Sequence, residues 1–151
     1  MRFVILAAFA LAASSLAACA TPSAPAASHV AADARDCAVM AAVLTQHYKI
    51  AEGSPLHLQR GDPNDPEAYR ITCDFKAVGA PIEDYDYERP STVQNFQGWL
   101  NFAPPSYPTL TTAIIETGSL LGPLAGSGQK CTLHKGDGGW TVDECKMTWI
   151  S

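Results

Sequence analysis

Gln129-Lys130-Cys131-Thr132-Leu133-His134-Lys135, then Gly136-Asp137-Gly138-Gly139, then Trp140-Thr141-Val142-Asp143-Glu144-Cys145-Lys146-Met147-Thr148-Trp149-Ile150 reads as a strand, a turn and a last strand. Glycine and aspartate gather where the chain must reverse. In the last strand Trp140 and Val142 share one parity, while Cys145, Met147 and Trp149 share the other. An alternating strand cannot bury both sets, so a β-bulge near Asp143-Glu144 must shift the phase. With that bulge Cys131 and Cys145 fall opposite each other, as a cross-strand disulfide requires. The chain therefore ends in a β-hairpin.

Upstream, Tyr69 to Ala77 is predicted as a strand. Tyr69, Ile71, Cys73, Phe75 and Ala77 alternate with Arg70, Thr72, Asp74 and Lys76, which means one buried face and one wet face. Shorter strands are predicted at Leu56–Arg60 and Gln97–Phe102, with Trp99 as a core or rim anchor. Leu110 to Thr117 is β-rich after the break at Pro104-Pro105-Ser106-Tyr107-Pro108. Before all of these, Asp33 caps a predicted helix running to about Ile50, ended by Gly53 and Pro55. Cys37, Met40, Ala41, Leu44 and Tyr48 share one of its faces. Asp33 and Asp36 sit in its first turn, where the helix dipole favours negative charge. A bridge from Cys37 to Cys73 would pin this helix to the sheet. These readings predict one α+β domain over residues 33–151, with an N-terminal helix packed on an antiparallel sheet of about five strands.

The stretch Gly118-Ser119-Leu120-Leu121-Gly122-Pro123-Leu124-Ala125-Gly126-Ser127-Gly128 is read as a wide turn whose glycines permit left-handed angles. It has no Gly-Lys-Ser/Thr ending and is not G-x-G-x-x-G, so it is not a phosphate loop. Residues 61–67, Gly-Asp-Pro-Asn-Asp-Pro-Glu, form a turn. They fail as a calcium loop, because Pro66 stands at the fifth position from Asp62 and Cys73 at the twelfth, where a bidentate Glu belongs.

At the other end of the chain, Phe3 to Leu16 is apolar apart from Ser14 and Ser15, follows Met1-Arg2, and runs into Leu16-Ala17-Ala18-Cys19. A short positive start, an apolar run and small residues before a cleavage point describe an export leader. The run is shorter than the about 20 apolar residues of a membrane span. The tetrapeptide resembles the lipobox of bacterial lipoproteins. That resemblance implies removal of residues 1–18 and attachment of diacylglyceryl to Cys19, which then begins the mature chain. An ordinary signal peptide cut near Ala18 or Ala20, or an uncleaved anchor, is the rival reading. Two or more acyl chains, at about 0.8 kcal/mol per buried CH₂, hold a protein stably on a bilayer. Ala20, rather than Asp, follows the cysteine; by resemblance to the sorting rule of Gram-negative lipoproteins this implies the outer membrane, facing the periplasm. Residues 19–32 are small and proline-bearing, with too little apolar bulk to fold, and are predicted as a tether.

Lipidation explains the odd count of five cysteines, because removing Cys19 from pairing leaves four. Four cysteines allow three connectivities; the strand phases favour Cys37–Cys73 and Cys131–Cys145, each worth roughly 2–4 kcal/mol. Export places them where disulfides persist. No C-x-x-C pair is present, and His29, His47, His57 and His134 are scattered, so no metal and no cofactor are predicted. Loss of the leader removes Arg2 and no acid, leaving 9 basic against 15 acidic residues, a net charge of −6. That balance excludes nucleic acid as a partner, which calls for a basic face.

A second resemblance covers the last third of the chain. Ala113-Ile114-Ile115, the run from Gly122 to Gly128, Gly139-Trp140-x-Val142 and Trp149-Ile150-Ser151 resemble a C-terminal β-module of small exported bacterial proteins. It implies a fold and no chemistry.

No G-x-S-x-G elbow is present, and oxidised cysteines are not nucleophiles. The expected function is therefore a non-catalytic, membrane-anchored binding or interaction module, taking a protein partner or a small apolar ligand in the envelope. An alternative is an inhibitor or immunity lipoprotein. Its candidate surface is Glu83-Asp84-Tyr85-Asp86-Tyr87-Glu88, four acids around two tyrosines. A small periplasmic hydrolase or isomerase would need His47, His57 or His134 to meet a carboxylate in a cleft.

Overall fold

The computed structural model describes residues 31–65, 67–89 and 92–151. The predicted leader, Cys19 and the tether as far as residue 30 lie outside the described residues.

The fold is mixed α/β, with one short helix and a seven-stranded sheet. The helix α1 is Ala34–Ala42. The strands are β1 Leu56–Leu58, β2 Glu83–Asp84, β3 Gly98–Phe102, β4 Ser106–Thr109, β5 Thr112–Leu120, β6 Gly126–Gly136 and β7 Gly139–Ile150. Their order across the sheet is β2-β1-β3-β5-β6-β7, with β4 also paired to β5. β3 pairs with residues 117–120 of β5 and β4 with residues 112–114. Since β6 occupies the other edge of β5 along its whole length, β3 and β4 form one interrupted line. Pro104 and Pro105 stand at the interruption, where they have no N–H to give a ladder.

The sheet is not the five-stranded antiparallel one expected. β1 runs parallel to both β2 and β3. Parallel neighbours need a long crossover, and residues 59–97 supply it, with a single 3-10 turn at Val93–Asn95 and no α-helix among the described residues.

Tyr69 to Ala77 does not form the predicted strand. Arg70 makes a single bridge to Ala31, and a turn follows in which the Ala80 N–H donates to the Phe75 carbonyl at 2.9 Å. The alternation is nevertheless real: Ile71, Cys73 and Phe75 are buried and Thr72 and Asp74 exposed. Arg60 stands in for a neighbouring strand. Its Nη1 donates to the carbonyls of Ile71 and Cys73, both at 2.9 Å. Alternation records which side meets the core, not who satisfies the backbone.

The helical segment is shorter and less regular than the predicted run to Ile50. The Asp33 carboxylate caps it, accepting from the N–H groups of Arg35 at 2.7 Å and Asp36 at 2.8 Å. After Ala42 the coil widens to a π-turn over Val43–His47. It stops at Lys49, whose φ of 53° is left-handed, with the Ile50 N–H reaching back to the Leu44 carbonyl at 3.0 Å. The terminator is thus Lys49 rather than Gly53 or Pro55. The predicted tether is also too long by two residues: Ala31 bridges Arg70, and Ala32 is buried with its N–H 2.9 Å from the Arg70 carbonyl.

Both disulfides are present, Cys37–Cys73 with Cα atoms 5.5 Å apart and Cys131–Cys145 at 4.0 Å. The core lies on one face of the sheet. Leu58, Leu100, Ala113, Ile115 and Leu133 meet Val39, Met40, Val43 and Leu44 from the helical segment and Ile71 and Phe75 from the crossover. The opposite face of the sheet has no covering layer among the described residues. Among them, too, no helix is long and apolar enough to cross a membrane.

Candidate ligand-binding site

The uncovered face carries the candidate site. In β3 the inward Leu100 and Phe102 are buried, which turns Trp99 and Asn101 outward. Asn101 is opposite Gly118 of β5, Gly118 is opposite Gly128 of β6, and Gly128 is opposite Trp149 of β7. Register partners share a face, so this row of four positions crosses four strands on one face, with side chains at its two ends.

Trp149 reaches this face through a second bulge. The expected bulge is present at Asp143, between the pairs Thr132–Glu144 and Leu133–Val142. A further register shift sets Gln129 opposite Met147 but Gly128 opposite Trp149, which leaves Thr148 as the extra residue. Parity alone would have placed Trp149 with Cys145 and Met147. The bulge rotates it to the other side.

Glycine makes room for the ring. A β-carbon on Gly128 would overlap the pyrrole part of the Trp149 indole, and one on Gly126 would lie 3.1 Å from its Cζ3. A β-carbon on Gly118 would touch Cζ2 of Trp149 at 3.6 Å and Cζ3 of Trp99 at 3.7 Å. Trp149 thus covers a floor of three glycines, and the two indoles converge over Gly118. The glycines are therefore not the wide left-handed turn predicted. Gly118, Gly126 and Gly128 lie in strands, the reversal is confined to residues 121–125, and among the described glycines positive φ occurs only at Gly53, Gly61, Gly79 and Gly139. Glycines at alternate positions of neighbouring strands are the sequence signal for such a floor.

Trp99, Asn101, Glu116, Gly118, Thr148 and Trp149 line an open groove of about 500 Å³. Trp149 remains 46% exposed although its inner face rests on glycine, so its outer face is free to stack. Asn101 Oδ1 accepts from the Gly118 N–H at 2.9 Å, which holds the amide in place and directs its NH₂ outward. Glu116 Oε1 lies 3.4 Å from Lys130 Nζ, so the rim carries one charge of each sign.

The acidic segment lies beyond the Trp99 side of this groove, at the edge strand, where Glu83 is opposite His57 and His57 is opposite Trp99. Glu83 and Asp84 form β2, and Asp84 accepts from Arg60 Nε at 2.6 Å. Asp86 accepts from the N–H of Glu88 at 3.0 Å, Tyr87 donates to the Gly61 carbonyl at 2.8 Å, and the Tyr85 and Tyr87 rings meet edge to face with centroids 5.0 Å apart. Glu83, Asp86 and Glu88 face solvent.

The described histidines, His47, His57 and His134, are dispersed. His134 contacts Asp143 on open surface, with side chains 54% and 43% exposed. His57 Nδ1 lies 3.2 Å from the Gly98 carbonyl, and its Nε2 is 3.8 Å from the largely exposed Glu83. His47 lines a second cavity of about 500 Å³ with Tyr48, Ser119 and Ser127. Burial pushes its pKa down, against a smaller upward push from its hydrogen bond to Gln129. The hydroxyls around it bond to one another, Tyr48 to Thr117 at 3.2 Å and Ser119 to Ser127 at 3.3 Å. Glu52 lines the same cavity as His47, and the carboxylates paired with a histidine are Glu83 with His57 and Asp143 with His134. Among the described residues no group of three or more His, Cys, Asp or Glu gathers to hold a metal ion.

Compared with protein-family models, curated proteins and solved structures, the chain matches none at a significant level.

Proposed function

We propose that this chain is a lipid-anchored, non-catalytic binding module of the bacterial envelope, with the groove between Trp99 and Trp149 as its ligand site. The address rests on the resemblance of Leu16-Ala17-Ala18-Cys19 to a lipobox, and Ala20 favours the outer membrane. The observation that carries the binding reading is the glycine floor. Three strand glycines and a bulge hold a tryptophan on the outside of the sheet, where one face is covered and the other stays accessible. Exposed aromatic surface of this kind, flanked by oriented polar groups, is the usual make-up of a binding site.

Two measurements test it. Native mass spectrometry should show a mature chain that begins at Cys19 and bears fatty acyl mass; a Cys19→Ser variant should leave the membrane fraction. Trp149→Ala should abolish ligand-dependent changes in tryptophan emission when envelope extract is added. Retention of those changes would remove the groove from the proposal.

A second reading is favoured by the solvent-facing carboxylates of residues 83–88. An inhibitor or immunity lipoprotein would use Glu83, Asp86 and Glu88 against a basic active site, with Asp84 held by Arg60. Conversion of all four acids to amides should then abolish capture of a basic partner. Unchanged capture eliminates this reading.

A further inference from the structure

We propose that the groove between Trp99 and Trp149 binds a neutral saccharide chain. This rests on the reading of the groove as a ligand site and names its ligand class.

Three properties of the lining point there. The first is the pairing of flat apolar faces with polar groups directed along their edges. A pyranose ring has the same division, with C–H groups on its faces and hydroxyls around its rim. The free indole face of Trp149 matches the former. The Asn101 amide, the Glu116 carboxylate and the Thr148 hydroxyl supply donors and acceptors for the latter.

The second is charge. Glu116 is matched by Lys130 at 3.4 Å, so the groove offers a nucleotide or other polyanion no surplus positive charge. A purely apolar ligand fits no better. It would cover Asn101, Glu116 and Thr148 without bonding them, at the cost of their hydration, and an open groove cannot enclose it.

The third is spacing. Trp99 of β3 and Trp149 of β7 lean toward the same point, 3.7 and 3.6 Å from where a β-carbon on Gly118 would stand, so the edges of the two indoles nearly meet. Two adjoining aromatic faces suit consecutive rings of a saccharide chain. The indoles converge over Gly118, so the floor between them is continuous and adjacent sugar rings have surface beneath them. Both side chains are rigid, which keeps the ordering cost of binding low.

The test is a fluorescence titration of the full chain with cellotetraose and chitotetraose, in a detergent without a sugar headgroup. Trp140 is buried, so emission changes report Trp99 and Trp149. A saturable change is expected with at least one probe. Trp149→Ala and Trp99→Ala should abolish it, while Trp140→Phe should retain it. Asn101→Asp keeps the acceptor for Gly118 and removes the outward amide donor; it should weaken binding by about tenfold without disturbing the sheet. Equal affinity of Asn101→Asp and the parent chain would overturn the saccharide assignment.

Failure of this inference is distinguishable from failure of the site. If neither oligosaccharide binds, but envelope extract still changes emission through Trp149, the groove is a ligand site and its ligand is not a neutral glycan. If neither oligosaccharide nor extract acts through Trp149, both readings fall.

Discussion

The indole of Trp149 occupies the space that a β-carbon on Gly128 would fill. The pair is directly cross-strand, and it lies on the outside of the sheet, where the ring remains 46% exposed. Its consequence is a fixed aromatic surface beside Trp99.

Gly128→Ala should therefore displace the Trp149 ring. Overpacking of this kind costs about 1–3 kcal/mol, and the loss should appear in urea unfolding. Trp149→Gly removes the clash, so Gly128→Ala placed in that background should cost far less. A double-mutant cycle measures the coupling; additive costs would show that the ring can move aside freely.

Asp36 accepts from two tyrosines, Tyr69 at 2.8 Å and Tyr107 at 2.6 Å. Burial first, and then the hydrogen bond to Asp36, raise both phenol pKa values far above 10. A folded-state pKa raised above the unfolded value gives stability that is complete below the unfolded pKa and declines above it. Stability should thus hold steady up to about pH 10 and then fall by about 1.4 kcal/mol per pH unit for each proton retained only in the folded state. Tyr69→Phe with Tyr107→Phe should flatten that decline in denaturant titrations from pH 9 to 12. An unchanged slope would place the titrating groups elsewhere.

The two disulfides should not be equal. Cys37–Cys73 spans 36 residues and Cys131–Cys145 spans 14. Loop entropy alone assigns them about 4 and about 3 kcal/mol. The first also holds residues 71–75, which have no ladder of their own, whereas the second joins strands already paired along their length. Cys37→Ala with Cys73→Ala should lower the urea midpoint more than Cys131→Ala with Cys145→Ala does.

Arg60 bonds the carbonyls of Ile71 and Cys73 and the carboxylate of Asp84. Arg60→Ala should cost about 2–3 kcal/mol, since charge-assisted bonds are lost and backbone carbonyls lose their partner. Arg60→Lys should recover only part of this, because a single ammonium cannot reproduce the guanidinium fork. Full recovery would mean that charge alone is needed. Amide exchange over residues 71–80 should rise in both variants.

Lys49 terminates the helical segment with φ at 53°, a region costly for a residue with a β-carbon. Lys49→Gly should raise stability by about 0.5–1 kcal/mol, and Lys49→Val should lower it. A thermal melt of both variants checks the sign.

Elements legible in the sequence were those set by local rules. Asp33 caps the helix because its short carboxylate reaches the first free N–H groups. The final hairpin and the bulge at Asp143 follow from alternation and its break, and that bulge faces Cys145 toward Cys131. Alternation also marks Ile71, Cys73 and Phe75 as core. It does not say what bonds their backbone, and only the folded chain brings Arg60 there in place of a strand. The parallel pairing of β1 with β2 and β3 was equally hidden, because it joins segments far apart in sequence. So was the face taken by Trp149. A bulge at Thr148 leaves no local mark in the side chains around it, and its energetic reason lies across the ladder, in glycines on two other strands. Local chemistry set caps, turns and burial; the choice of distant partner, and with it the candidate site, arose only once the strands were laid side by side.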